Sequence, residues 1–145
     1  TNIQAWSESQ MGSKGWELGL GQVQLLPGNA FFFKPPEAYT VVLTGTPPGS
    51  PIAMPVSGDG RASVFGYSYP VDIRWTDTQL ASLLPPGSMV SFWDRTRTSF
   101  RTNFIKAPAA KGGGWGNAAS NYLLRTGDGF AVRQPPSSTN FNWAE

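Results

Sequence analysis

Apolar positions in this chain come in short runs, and most of the runs alternate with polar ones. Residues 88–93 read Ser-Met-Val-Ser-Phe-Trp and lead to a polar turn at residues 94–96. Residues 98–105, Thr-Ser-Phe-Arg-Thr-Asn-Phe-Ile, run back from that turn. Two such runs across a short turn predict a β-hairpin. Residues 129–133, Gly-Phe-Ala-Val-Arg, alternate and stop before Pro135-Pro136. Residues 138–143 also alternate, with Phe141 and Trp143 on one face and Asn140 and Asn142 on the other. Two more strands are predicted earlier, at residues 30–34 (Ala-Phe-Phe-Phe-Lys) and 39–44 (Tyr-Thr-Val-Val-Leu-Thr), each bounded by glycine or proline.

A helical period shows at residues 76–84. Thr76 or Asp77 is positioned to cap it, Leu80, Leu83 and Leu84 would share a face, and Pro85-Pro86-Gly87 ends it. The whole pattern predicts an all-β fold, a β-sandwich or distorted barrel of about ten strands with at most one short helix.

The chain also repeats itself. Residues 15–36 align without a gap on residues 114–135. Gly15-Trp16 falls on Gly114-Trp115, Leu25 on Leu124, Gly28 on Gly127, Asn29 on Asp128, Phe31 on Phe130, Lys34 on Arg133 and Pro36 on Pro135. Each match has a structural reason. Gly28 and Gly127 are expected to hold a positive φ in a turn. Phe31 and Phe130 open the strand that follows, and Trp16 and Trp115 would each cover one end of the core. The expected division is a partial first repeat at residues 1–46, a Pro/Gly-rich crossover at 47–61 and a full second repeat at 62–145, all in one compact domain.

This pattern resembles the duplicated β-modules of large secreted bacterial proteins. Their units carry a Trp-Asp-like strand, then Gly-Trp, then a Pro-Gly-x-Gly-Phe-Phe-x-x-Asn-Pro stretch. The matching residues here are Phe92-Trp93-Asp94, Gly114-Trp115 and residues 126–135, and in the first copy Gly15-Trp16 and residues 27–33. The second copy departs at Thr126, where proline would be typical, and the first departs at Ala30. The resemblance implies an extracellular, non-enzymatic module.

The repeat is cut unevenly. Some fifty residues with several strands precede Gly114-Trp115, whereas fourteen precede Gly15-Trp16. A sheet short of strands has an open edge, which invites pairing with another chain. The terminal segments supply the candidate donors, with Ile3, Ala5 and Trp6 at one end and Phe141 and Trp143 at the other. The expected partner is another copy of the chain, in a homo-oligomer or, where contacts run head to tail, a filament.

Composition narrows the alternatives. Of the 145 residues, 39% are hydrophobic, enough for a core without staples, and only 14% are charged, against about a quarter in ordinary domains. The chain has no histidine and no cysteine. That removes Ser-His-Asp triads, Cys-His dyads, disulfides and the usual zinc sites. The few carboxylates sit beside Gly, Ser, Thr or Pro, as turn and cap residues do. Ser57-Gly58-Asp59-Gly60 reads as a turn rather than a calcium loop. No catalytic residue, metal or cofactor is expected.

Net charge is +2, which does not suggest a nucleic-acid binder. Arg95, Arg97 and Arg101 would share one hairpin face with Phe100 and Phe104 opposite, the look of a solvated strand. Six tryptophans raise a second binding class. Trp6, Trp75 and Trp93 are the candidates for stacking on a glycan, as in a carbohydrate-binding module. No apolar run approaches the roughly 18 residues of a membrane span. The start at Thr1, with few lysines and many small polar residues, reads as a processed chain whose signal peptide has been removed. The expected location is extracellular or at the cell surface.

Overall fold

The computed structural model describes residues 11, 12, 15, 16, 30, 37, 49–51, 53–101 and 103–144. In chain order its elements are β1 (Met11–Gly12), β2 (Gly15–Trp16), β3 (Met54–Val56), β4 (Ala62–Gly66), β5 (Ile73–Arg74), α1 (Gln79–Leu83), β6 (Met89–Asp94), β7 (Ser99–Phe100), β8 (Phe104–Ile105), α2 (Asn117–Ser120), β9 (Leu123–Leu124), β10 (Gly129–Arg133) and β11 (Phe141–Trp143). The expected strands at residues 30–34 and 39–44 lie outside the described residues, apart from Ala30.

The fold is mainly β, in antiparallel sheets. Its centre is a five-stranded sheet in the order β4-β10-β6, with β7 and β8 both pairing the far side of β6. Alternation explains which strand faces which way. Phe65, Phe130, Val132, Val90 and Phe92 point to one face and are buried. Over them lie two smaller strand pairs, β3 with β11 and β5 with β9, and the two helices. Trp75 and Trp143 fill the space between, both with no exposed surface. Trp75 meets Phe92 and Phe130 edge-on at 5.6 and 5.8 Å, and Trp143 meets Phe65 edge-on at 5.5 Å. Among the described residues the sheet ends at β4 on one side and β7/β8 on the other. Among these residues it does not close into a barrel.

The helix expectation needs correcting. Thr78, not Thr76 or Asp77, caps α1: its hydroxyl accepts from the Ala81 amide at 3.1 Å. Trp75–Asp77 instead forms a 3-10 turn. Leu80, Ala81 and Leu84 are buried while Leu83 is 47% exposed, because the short helix presents a narrow wedge rather than a stripe. A second helix, α2, exceeds the expected maximum of one. The stretch read as a crossover contains β3, whose Met54 and Val56 are buried. That strand was masked by Pro55, which sits at a position facing solvent.

The hairpin of β6 with β7 and β8 forms as expected, but with one change. Phe100 lies opposite Trp93 and Phe104 opposite Val90. Four steps on one strand therefore match three on the other, a β-bulge of one residue around Arg101. One extra residue reverses the alternation. Phe104 turns to the core against Phe92 (5.8 Å), and Phe100 turns to the opposite face against Trp93 (5.2 Å). The two rings do not share a face.

Candidate assembly edge and aromatic cleft

β4 is the outermost strand of the main sheet, and its register with β10 decides where its main chain points. The Tyr67 amide donates to the Asp128 carbonyl at 2.8 Å, which makes that a hydrogen-bonded pair. Counting back along the ladder, Phe65 and Ser63 also exchange bonds with β10. Ala62, Val64 and Gly66 alternate with them, so their N–H and C=O groups point away from the sheet. Among the described residues no strand pairs with them.

The strand itself carries none of the guards that an edge strand's own residues can supply. Ala62–Gly66 holds no charge, no proline and no bulge. Irregularity begins only at its ends. At one, Gly127 has φ +82°. Its amide donates to the Tyr67 carbonyl at 2.7 Å, so Gly127 and Asp128 together face Tyr67 in a glycine bulge. The positive φ expected of Gly127 is present; its counterpart Gly28 lies outside the described residues. At the other end, Arg61 and Asp59 pair at 3.1 Å across a tight turn. Asp59 accepts from the Ser57 hydroxyl and the Arg61 amide. These bonds, led by the Ser57 hydroxyl, hold its carboxyl below the usual range. An open groove of about 460 Å³ lies beside Ser63, lined by Val56, Ser57, Asn140 and Phe141 among others.

The opposite edge is built differently. It is two short strands with the bulge between them. Asp94 accepts from the Thr96 and Arg97 amides at 2.9 and 3.2 Å and pairs with Arg101 at 3.3 Å. The Arg97 amide does most to hold the Asp94 carboxyl below its ordinary value. The Arg101 guanidinium stands 5.8 Å from the centre of the Tyr122 ring, which stacks on Phe92 at 3.7 Å. Burial raises the Tyr122 hydroxyl pKa. At the strand's far end Lys106 donates to the carbonyls of Ala81, Ser82 and Leu84 at 2.9, 3.1 and 2.7 Å. It closes the C-terminal end of α1, and burial lowers its pKa.

The second face of the main sheet holds a small cleft of about 210 Å³, lined by Val64, Trp93, Arg95, Phe100, Gly129 and neighbours that include Ala30. Arg95 is anchored there by Asp128 at 2.8 Å. Ala30 thus lies at the same cleft as Val64 and Gly129.

The other sequence-predicted residues fall as follows. Trp93 lines the cleft. Trp75 is fully buried and ringed by Phe92, Phe130 and Trp115, so it offers no face to a sugar and is withdrawn as a glycan-stacking residue. Trp115 is half-buried, edge-on to Trp75 at 5.3 Å, with its indole N–H on the Ala81 carbonyl. Phe130 is in the core. Phe141 and Trp143 pair with Val56 and Met54 of their own chain. Trp143 is part of its core, so β11 could be exchanged only as a swap of an already docked strand. Trp16 pairs with Met11, and Trp115 forms an isolated bridge with Lys106. The two Gly-Trp dipeptides therefore sit in antiparallel pairings of different span. Ile3, Ala5, Trp6 and Phe31 lie outside the described residues.

Sequence reading did not single out Ala62, Val64 or Gly66. The available signal was an uncharged, proline-free run between Arg61 and Tyr67. No cluster of three or more possible metal ligands occurs among the described residues, and no helix there is long and apolar enough to cross a membrane. Comparison with protein-family models, curated proteins and solved structures returns no match.

Proposed function

We propose that this chain is a non-enzymatic, extracellular structural protein, a subunit that joins copies of itself into a fibre or surface assembly by pairing strands at the β4 edge. The observation that carries the reading is the row of outward main-chain groups on Ala62, Val64 and Gly66, which no strand pairs among the described residues and whose strand holds no charge, proline or bulge to block an added one. An added strand would satisfy each of them. The finer architecture belongs to the same reading: two pseudo-repeats packed as a sandwich. Ala30 against the sheet's second face supports that arrangement.

The test is light scattering and negative-stain microscopy of the wild type beside Val64→Pro. Proline at residue 64 removes only an outward N–H, because Val64 and Ala131 are a pair that exchanges no hydrogen bonds. The variant should lose assembly and keep its fold. Ala62→Lys, at an exposed position, repeats the block without a backbone change. A wild type that stays at 15.6 kDa at high concentration would sink the reading.

Carbohydrate binding is the second reading, supported by the cleft at Trp93, Phe100 and Arg95. Its roughly 210 Å³ falls short of the ~300–1,000 Å³ of typical ligand pockets, which places it behind assembly. Tryptophan fluorescence titrated with a broad glycan panel would show a response if it held.

A further inference from the structure

Edge pairing admits two geometries. Head-to-tail pairing joins the β4 edge of one copy to the β7/β8 edge of the next and grows without limit; two-fold pairing joins β4 to β4 and closes. The two edges of this sheet decide between them. An incoming β4 has five straight residues, Ala62–Gly66, and presents outward groups at every second one. The β7/β8 edge offers two residues, a bulge, then two more, with Arg101 at the break. A straight strand keeps its register past a bulge for only half its length, so the head-to-tail contact fails.

Among the described residues no strand pairs with β4 on this side, and a second β4, run antiparallel about a two-fold axis through Val64, matches its register throughout. Ala62 then stands opposite Gly66 of the copy and Val64 opposite Val64, so each outward N–H meets an outward C=O. On one face of the new pair, alanine meets glycine and valine meets valine. On the other, Ser63 meets Phe65. No like charges stand opposite each other, because the strand has none and Arg61 is already paired with Asp59. The glycine bulge at one end and the Asp59–Arg61 turn at the other confine the strand to these five residues. A shift of register would leave outward groups unpaired. Beside this joint the groove at Ser63, Val56 and Phe141 gives the copy's Phe65 end further surface to cover.

Resting on the proposed assembly role, we infer that its edge joint is a closed, two-fold β4–β4 dimer, so that any filament grows through a second, separate contact. The chain has no cysteine of its own, which makes single-cysteine cross-linking clean. In a hydrogen-bonded antiparallel pair the two residue-64 Cα atoms are about 5.5 Å apart, within the ~4.4–6.8 Å that a disulfide spans. The two residue-62 positions would be roughly 14 Å apart at ~3.4 Å per residue. Val64→Cys should therefore convert to a disulfide-linked dimer under mild oxidation, and Ala62→Cys should not. Equal linking of both, or of neither, in a preparation that scatters as an oligomer would overturn the two-fold joint while leaving assembly standing. A preparation that scatters as a monomer throughout, with neither variant linking, would overturn the assembly reading as well.

Discussion

The two edges of the main sheet share a layer and a core, yet they treat the same physical hazard in opposite ways. At β7/β8 the chain spends a bulge, an Asp94–Arg101 ion pair and a loop pinned by Asp94 to keep another strand from docking. At β4 it spends nothing between Ala62 and Gly66. The small residues there bring little burial of their own: Ala62 is exposed, and Val64 and Gly66 are half-buried. The side that faces the core, by contrast, is tightly held through Phe65, against Phe130 at 5.7 Å and Trp143 at 5.5 Å. An edge can thus be firmly supported from within and still be open outward. It is this combination, rather than exposure alone, that suits a strand for pairing with a partner.

The largest effect on this contrast should come from Trp143→Ala. Removing a fully buried indole from between Phe65 and Phe130 costs about 3–5 kcal/mol, read as a shift in the urea midpoint. Amide exchange should speed up more along β4 than along β7 and β8, because Trp143 braces the former. A uniform loss of protection at both edges would mean that they do not differ in support.

Acid should act on the turns beside both edges, at Asp59 and at Asp94, and more weakly than the loss of Trp143. The Asp94 carboxyl is held below its ordinary value, chiefly by the Arg97 amide, with the Thr96 amide and Arg101 adding to it. A depressed carboxyl contributes stability that is fully present above its unfolded pKa of about 3.9 and is lost as pH falls through the lower folded value. Lowering the pH below ~4 should therefore loosen the loop at residues 94–98 and raise exchange at the Thr96 and Arg97 amides, which bond to that carboxyl. The amides of Ser63 and Phe65 should be unaffected over the same range. Parallel loosening of these strand amides would place the acid effect elsewhere.

Much of this sheet was legible in the residues. The run at 129–133 forms β10 over those residues, and the alternation of Phe141 and Trp143 against Asn140 and Asn142 is the observed one, with Trp143 buried and both asparagines exposed. The hairpin of residues 88–105 was also readable, because valine and aromatic residues at every second position leave one choice of inner face. The bulge at Arg101 was not. A single inserted residue changes no composition and no period outside itself, yet it sends Phe100 and Phe104 to opposite faces. The helix α2 and the strand β3 were hidden for related reasons. Asn117–Ser120 is one turn with no apolar stripe, and Pro55 disguises a strand that points it outward. The β4 edge was the hardest to see. Whether a strand lies at an edge is set by topology, which pairs β4 with β10 more than sixty residues later, and no local pattern encodes that.

The most direct test of the account reads the outward amides themselves. Hydrogen exchange of Ala62, Val64 and Gly66 should be followed as a function of protein concentration, with Ser63 and Phe65 as internal references. The references bond to β10 within the chain and should be protected at every concentration. The three outward amides should be unprotected in dilute solution and become protected as concentration rises, since among the described residues no strand supplies their acceptors and an added strand from another chain would. Rapid exchange at all three, unchanged up to concentrations where the references remain protected, would contradict the claim that β4 is the joint.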